Sequence, residues 1–307
     1  MGSPPFAVPS LEYLAASGYE LAAVCTQPDR AVGRGRALAT PAVKEAAEAL
    51  GLTVLQPESI GSPEALAQLV DFKPDLIVVA AFGQILPKAV LAIPRLGSVN
   101  VHASLLPKFR GAAPVAAAIL AGEDFTGVSI MLIEEKLDSG PVLARAQVSI
   151  ADSDTTASLT EKLSIVGAGL LGEALAGWLG GEINPQPQDE SKASYCQTIN
   201  KDEGEIDWRL SAVELWRRVR AFYPWPGSYT RWRGQTLKII EAAPLTTRTP
   251  ARVGEVVALD AGGFGIGSGD GVLNIIKVQL AGKQVLTAAE FVRGQRGFIG
   301  SVLPSEA

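Results

Sequence analysis

Over the first two-thirds of the chain, short apolar runs alternate with amphipathic stretches. Residues 19–25 (YELAAVC) and 52–56 (LTVLQ) read as buried strands. The run 74–83 (PDLIVVAAFG) is continuously apolar, as a strand covered on both faces must be. Residues 97–102 (GSVNVH) and 126–133 (TGVSIMLI) complete the strands. Helices are predicted at 8–17, directly after a proline-rich turn, and at 41–50, opened by Pro41 and closed by Gly51. Others are predicted at 62–72 and 113–122. This rhythm implies an α/β fold built on a mostly parallel, doubly wound sheet. Ligands of such sheets sit beyond the carboxyl ends of the strands, and His102 lies at one such end.

Residues 158–178 form a further helix by periodicity, with Leu159, Leu163, Val166, Leu170 and Ala174 on one face. Inside it, GAGLLG (167–172) matches a dinucleotide fingerprint, with Asp189 downstream. Glycines within a helical pattern cannot form the strand-to-helix turn which that motif needs, so close helix packing is the expected use. From Asn184 the chain turns polar and proline-punctuated, and 184–208 reads as a linker. A helix at 211–222, a rigid turn at 223–230 (YPWPGSYT) and strands at 236–242, 254–260 and 272–280 follow. Glycine clusters separate these strands, which suggests a small OB-like β-barrel domain. The expected division is a catalytic domain over 1–183, the linker, and the barrel over 209–307. A doubly wound domain opens with a strand, yet none precedes Pro4. The first strand is therefore expected to be missing, or the true start to lie upstream. A chain beginning at Met1 would leave unpaired backbone on the neighbouring strands and be poorly stable.

Composition narrows the function. The 307 residues suit about two domains, and 47% apolar against 19% charged residues fill a core rather than a disordered chain. A net charge of −5 gives no global basic field, so any nucleic-acid contact needs locally clustered Lys and Arg. One histidine and two distant cysteines make a zinc or iron–sulfur site improbable and fit a reducing cytosol. The first ten residues lack a signal-peptide pattern, and the apolar run 76–82 is too short to span a bilayer. A soluble cytoplasmic protein is expected.

Candidate chemistry gathers around that histidine. Asn100 and His102, two apart on a strand end, point to one face. Asp138 lies in the loop EEKLDSGP, which follows the next strand. An asparagine amide can donate to a developing oxyanion, a histidine can carry a proton near neutrality, and an aspartate can orient the imidazole. There is no G-x-S-x-G elbow. The set suits acyl transfer between bound reactants without a covalent enzyme intermediate. Taken singly, each residue has an ordinary reading: a core histidine, a turn-forming asparagine, an Asp-Ser-Gly turn.

The stretch NVHASLLPKFRGAAP followed by LDSGPVL resembles the formyltransferase family that uses 10-formyltetrahydrofolate. QPDRAVGRGRALATPAVK (27–44), LQPESI (55–60), INKDEGEIDW (199–208) and YPWPGSYT are similar to the branch that formylates initiator methionyl-tRNA. The resemblance runs through nearly the whole chain. It implies a Rossmann-like domain holding the folate and an OB-like domain helping to bind tRNA. It further implies that the methionyl amine attacks the formyl carbon of 10-formyltetrahydrofolate, with no metal involved. Asn100 would then hydrogen-bond the formyl oxygen, His102 would be its electrostatic partner, and Asp138 would hold His102 and help move the proton. Ser104, Leu105, Leu106 and Pro107 match the folate-contacting turn, while Phe82, Gly83, Ile85 and Leu86 would line the pterin pocket. Arg30, Arg34 and Arg36, on the glycine-rich loop 29–38, would meet the acceptor stem of the tRNA. Arg209, Arg217, Arg218, Arg220, Arg231, Arg233 and Lys238 interleave with Trp208, Trp216, Trp225 and Trp232, a mixture suited to RNA backbone contact as well as to a core. Lys136 stands where the resemblance leads one to expect glycine. A monomer is the expected working form.

Competing readings are weaker. Formylation of glycinamide ribonucleotide or a sugar amine does not need the basic loop. An RNA-binding module with a dead transferase domain predicts loss of Asn100, His102 or Asp138. A dehydrogenase rests only on the helix-embedded glycines.

Overall fold

The computed structural model describes residues 1–32, 37–245 and 250–304. The chain divides into two compact units: Met1–Pro114, Asp124–Ser149 and Leu159–Gln197 in one, and Val115–Glu123, Ile150–Ser158 and Thr198–Ala307 in the other. Residues 184–197, read as linker, therefore pack with the first unit.

The elements in chain order begin α1 (Val8–Ala16), β1 (Val24–Cys25), β2 (Arg30–Val32), β3 (Ala37–Ala39), α2 (Ala42–Ala49), β4 (Val54–Leu55), α3 (Pro63–Asp71) and β5 (Ile77–Val79). They continue α4 (Lys88–Leu91), β6 (Ser98–His102), β7 (Arg110–Gly111), α5 (Pro114–Ala121), β8 (Phe125–Leu132), β9 (Val142–Ser149), α6 (Thr156–Leu179) and β10 (Tyr195–Cys196). The helix boundaries follow local chemistry. Ser62 accepts from Ala65 N at the start of α3 with Pro63 in its first turn, and Gly51 takes a left-handed φ of +69° just past α2.

The first unit's sheet is mixed rather than mostly parallel. β5 and β6 run parallel, but β8 pairs antiparallel with both β6 and β9. β9 was not anticipated. Its sequence does alternate, with Val142, Ala144, Ala146 and Val148 against Arg145, Gln147 and Ser149, as a half-buried edge strand does. A hairpin connection from β8 permits only the antiparallel pairing.

The strands expected at 19–25 and 74–83 are cut to Val24–Cys25 and Ile77–Val79. β1 pairs with β4 on one side. On the other side Met1 and Gly2 lie between it and β5. Gly2 N donates to Cys25 O at 3.0 Å, Ala80 N donates to Met1 O at 2.9 Å, and Gly2 bridges Ala80 in parallel. Beyond them a cavity of about 510 Å³ opens between residues 19–25 and 74–78, lined by Leu11, Leu14, Leu21 and Leu76 among others. Strand length here depends on a neighbour to pair with, which no local pattern encodes.

The Met1 ammonium donates to Val78 O at 2.6 Å, and desolvation lowers its pKa below the ordinary 8.0. The folded state thus binds this proton less readily than the unfolded chain. Its contribution to stability rises with pH from the lowered folded value to about 8 and levels off above. The melting temperature of a chain starting at Met1 should climb through that window. An extension upstream of Met1 makes the ammonium an uncharged amide. It should flatten this slope and raise the neutral-pH melting temperature. Calorimetry across neutral and mildly alkaline pH reads both, and an equal slope in the extended chain would count against the burial of this charge.

α6 is long and apolar enough, by length and composition, to cross a membrane. Its Leu159, Leu163 and Leu171 are fully buried in the protein, so packing accounts for the apolarity. The helix-embedded glycines serve that packing. A Cβ on Gly167 would come within 3.0 Å of Val101 in β6, and one on Gly172 would collide with the Tyr13 ring. Gly169 has nothing within 4 Å and makes no such contact.

The second unit adds α7 (Ala212–Ala221), β11 (Ser228–Trp232), β12 (Gln235–Pro244), β13 (Val256–Ala258), β14 (Phe264–Gly267), β15 (Val272–Leu280), β16 (Val285–Thr287) and α8 (Ala288–Gly294). A Ser211–Glu214 capping box starts α7. The strands form an antiparallel sheet in the order β11-β12-β15-β14-β13, with β16 beside β15. Its core is aromatic: Phe298 meets Trp232, Phe264 and Phe291 edge-on at 5.2, 4.9 and 5.0 Å.

Candidate active site

β6 builds the centre by alternation. Val99 and Val101 are buried on the face that Gly167 of α6 covers. Asn100 and His102 point to the other face. There the register sets Asn100 beside Met131 and His102 beside Ser129 on β8. β5 and β6 run parallel, and His102 closes β6 at its carboxyl end, where ligands of such sheets sit.

His102 is 5% exposed. Its Nε2 lies 3.0 Å from Phe109 O. A carbonyl oxygen only accepts, so Nε2 carries a hydrogen. Nδ1 is then the nitrogen with an open lone pair in the neutral ring, and it faces Asp138 Oδ2 at 3.7 Å. That gap exceeds a hydrogen bond. The same Oδ2 accepts from Gly111 N at 2.9 Å. Gly111 is required: its φ is +122°, and a Cβ would collide with Cys196 O. In the 134–140 loop the left-handed non-glycine residue is Asp138, at φ +47°. Lys136, where glycine was expected, ion-pairs with Glu190 at 2.8 Å instead. The Asn100 side chain is half-buried and makes no hydrogen bond among the described residues, which leaves both amide hydrogens available.

The turn after β6 is held from below. Ser129, opposite His102, donates to Ser104 O at 2.7 Å and accepts from Leu106 N at 3.0 Å. Arg145 Nε donates to Leu106 O at 3.0 Å. Gly127 leaves room for Leu105, whose Cδ2 lies 2.6 Å from where a Cβ would stand. Within the turn, the Ser104 hydroxyl is spent on Lys108 O at 2.6 Å. Leu106 packs into a small core with Met131 and Val142. These two residues can meet a ligand only through their backbone, whereas Leu105 and Pro107 are half-buried at the surface. Ser129, Gly127 and Arg145 were missed by sequence reasoning.

Residues 82–86 divide in the same way. Phe82 and Leu86 belong to the core around Ile60, Ile77 and Val90. Ile85 is 87% exposed, and Gly83 stands at the surface with φ +85°. Gln84 ties this loop to the preceding one, accepting from Ile60 N at 2.7 Å and donating to Pro57 O at 3.2 Å. Arg30 is exposed on the β2–β3 hairpin, whose base is pinned by Asp29 between Lys44 and Gln56, each at 2.7 Å. Lys44 and then Gln56 hold the Asp29 carboxyl below its ordinary pKa. Arg34 and Arg36 lie outside the described residues.

In the second unit several basic residues are committed structurally. Arg220 is buried, donates to Asp154 O and Ala151 O at 2.8 Å each, and stacks 4.4 Å over Trp216. Arg209 pairs with Asp207 at 2.8 Å. Trp208 and Trp232 are core residues, while Trp225 is 57% exposed.

Two domain families match this chain: "Formyl transferase" over residues 2–175 and "Formyl transferase, C-terminal domain" over residues 198–296. A methionyl-tRNA formyltransferase of Dehalococcoides mccartyi is 49% identical over 300 residues, covering 98% of this chain and 95% of that protein. Among solved structures, the N-formyltransferase from Helicobacter canadensis, in complex with folinic acid and dTDP-3-aminofucose, is similar with a TM-score of 0.66 at 19% identity, covering 93% of this chain and 97% of that one. HypX from Aquifex aeolicus in complex with tetrahydrofolic acid gives a TM-score of 0.59 at 22% identity over 84% of this chain, which spans only 45% of HypX. At these identities the two structures speak for the fold. The matched families cover both units, the similarity to the Dehalococcoides protein runs over nearly the whole length of both chains, and the chain belongs to the formyltransferase family.

Proposed function

We propose that this protein transfers the formyl group of 10-formyltetrahydrofolate to the α-amino group of methionine carried on initiator tRNA, yielding N-formylmethionyl-tRNA for translation initiation. The observation that carries the reading is the convergence of Asn100, His102 and Asp138 at one strand end, in a chain so similar to a methionyl-tRNA formyltransferase. The folate carries the formyl group on N10: the amine bonds to the formyl carbon, the C–N10 bond breaks, and N10 leaves as the protonated amine of tetrahydrofolate with the proton lost by the attacking amine. The open Asn100 amide and the exposed Ile85–Gly83 edge fit such a donor.

Asn100 donates to the formyl oxygen as negative charge builds there, an interaction worth roughly 3–4 kcal/mol. His102 Nδ1 takes the proton of the attacking amine. Asp138, close to that nitrogen without being bonded to it, stabilises the imidazolium that results. Leu105, Pro107, Gly83 and Ile85 contact the folate by side chain or surface. Ser104 and Leu106 contribute backbone, and Phe82 and Leu86 shape the wall behind. Arg30, Arg34 and Arg36 follow phosphates of the acceptor stem, and the second unit helps to hold the tRNA. The working form is a cytoplasmic monomer.

The test is production of formyl-methionine from 10-formyltetrahydrofolate and charged initiator or elongator tRNA. No product with either tRNA would overturn the proposal. Arg34→Ala should raise KM for tRNA several-fold with little change in kcat. The defect should be largest at low salt and shrink as salt rises, because the variant neutralises one phosphate fewer and its affinity falls less steeply with salt. A salt series of initial rates checks this.

A further inference from the structure

We propose that Gln188 is a positioning residue that sets Asp138 against His102, with the buried Arg110 as its anchor. This rests on the reading of His102 and Asp138 as the proton-handling pair. One Gln188 amide nitrogen donates to both Asp138 O and Gly140 O, at 2.8 and 2.7 Å. It thereby closes the turn in which Asp138 holds its left-handed φ of +47°, a conformation that costs a non-glycine residue free energy. The other end of the amide accepts from Arg110 Nε and Nη2 at 3.1 and 2.9 Å. Carbonyls face the NH₂ and a guanidinium faces the C=O, so the amide has one consistent orientation.

Arg110 is fully buried and uses all five of its donors. Besides the two bonds to Gln188, Nη2 reaches Glu190 Oε1 at 2.7 Å, and Nη1 reaches Glu190 Oε2 and Tyr195 Oη at 3.2 Å each. The guanidinium has no alternative orientation that keeps these bonds. Its neighbour Gly111 holds the Asp138 carboxylate through its N–H. The same segment also serves the histidine. Ser194 Oγ accepts from Phe109 N at 2.9 Å, and Phe109 O fixes His102 Nε2. Residues 188–196 thus form a strap that orders both members of the pair from one side.

Gln188→Glu separates positioning from mere structure. A carboxylate keeps the partner for Arg110 but offers acceptors, not donors, to the carbonyls of residues 138 and 140. We expect kcat to fall roughly 10- to 100-fold, with KM for both substrates near wild type, a modest fall in melting temperature as the carbonyls of residues 138 and 140 lose their donor, and a displaced pH profile of kcat. In an Asp138→Asn background, Gln188→Ala should cause no further loss, because the group it positions is gone. Full kcat in Gln188→Glu overturns the proposal. So does Gln188→Ala lowering Asp138→Asn by the same factor as it lowers wild type, a result that stands even if Gln188→Glu folds poorly. Wild-type turnover in Asp138→Asn alone would refute the proton-handling pair and this proposal with it. An inactive Asp138→Asn beside a fully active Gln188→Glu refutes only the role of Gln188.

Discussion

Replacing His102 by alanine should lower turnover by about 10²- to 10⁴-fold, the range a positioned acid–base group contributes. Affinity for tRNA should stay near wild type. The Nε2 hydrogen is committed to Phe109 O, and the N–H of the same residue is held by Ser194. That leaves Nδ1 as the working nitrogen, facing a carboxylate at 3.7 Å. No other histidine exists to take over. Loss of the ring leaves the Phe109 carbonyl with only the weak Cys196 thiol as a donor, so a modest fall in stability should accompany the loss of rate. Single-turnover formylation with saturating donor, alongside tRNA binding, separates the two effects. His102→Ala with wild-type turnover would remove the histidine from the chemistry altogether.

Asn100 and His102 were legible because a strand's period of two is local, and both lie within one strand that also carries Val99 and Val101 on its opposite face. Asp138 was legible as a polar residue in the loop following the next strand. What lies around them was not. The strap of Gln188, Glu190, Ser194 and Tyr195 is polar and looks like a linker. Its bonds to Phe109 and Arg110 span 78 to 85 residues of sequence, which no local pattern reports. Arg110 stood inside a quoted motif, but its burial depends on those distant partners. Ser129 was invisible for a related reason, since its value lies in the antiparallel register that sets it opposite His102. β9 could have been found from its alternation. The shortening of the strands at 24–25 and 77–79 could not, because it reflects what stands between them.

The other large effect should come from Asn100, and the choice of substitution decides what is learned. Asn100→Ala removes a donor to the developing oxyanion and should reduce kcat about 10²- to 10³-fold. Asn100→Asp keeps the shape of the side chain and reverses its polarity. It replaces an NH₂ with an anion beside the oxygen that is gaining charge. Its loss should exceed that of alanine and reach about 10³-fold or more. In both variants KM should move little, because the ground-state carbonyl gains far less from the donor than the oxyanion does. Packing predicts the opposite order. Asn100 is half-buried between Val79 of β5 and Met131 of β8, and the isosteric aspartate would fill that space better than alanine. Rates in the order wild type, alanine, aspartate therefore identify an electrostatic role. An aspartate variant faster than the alanine variant would show that Asn100 serves the site by volume alone.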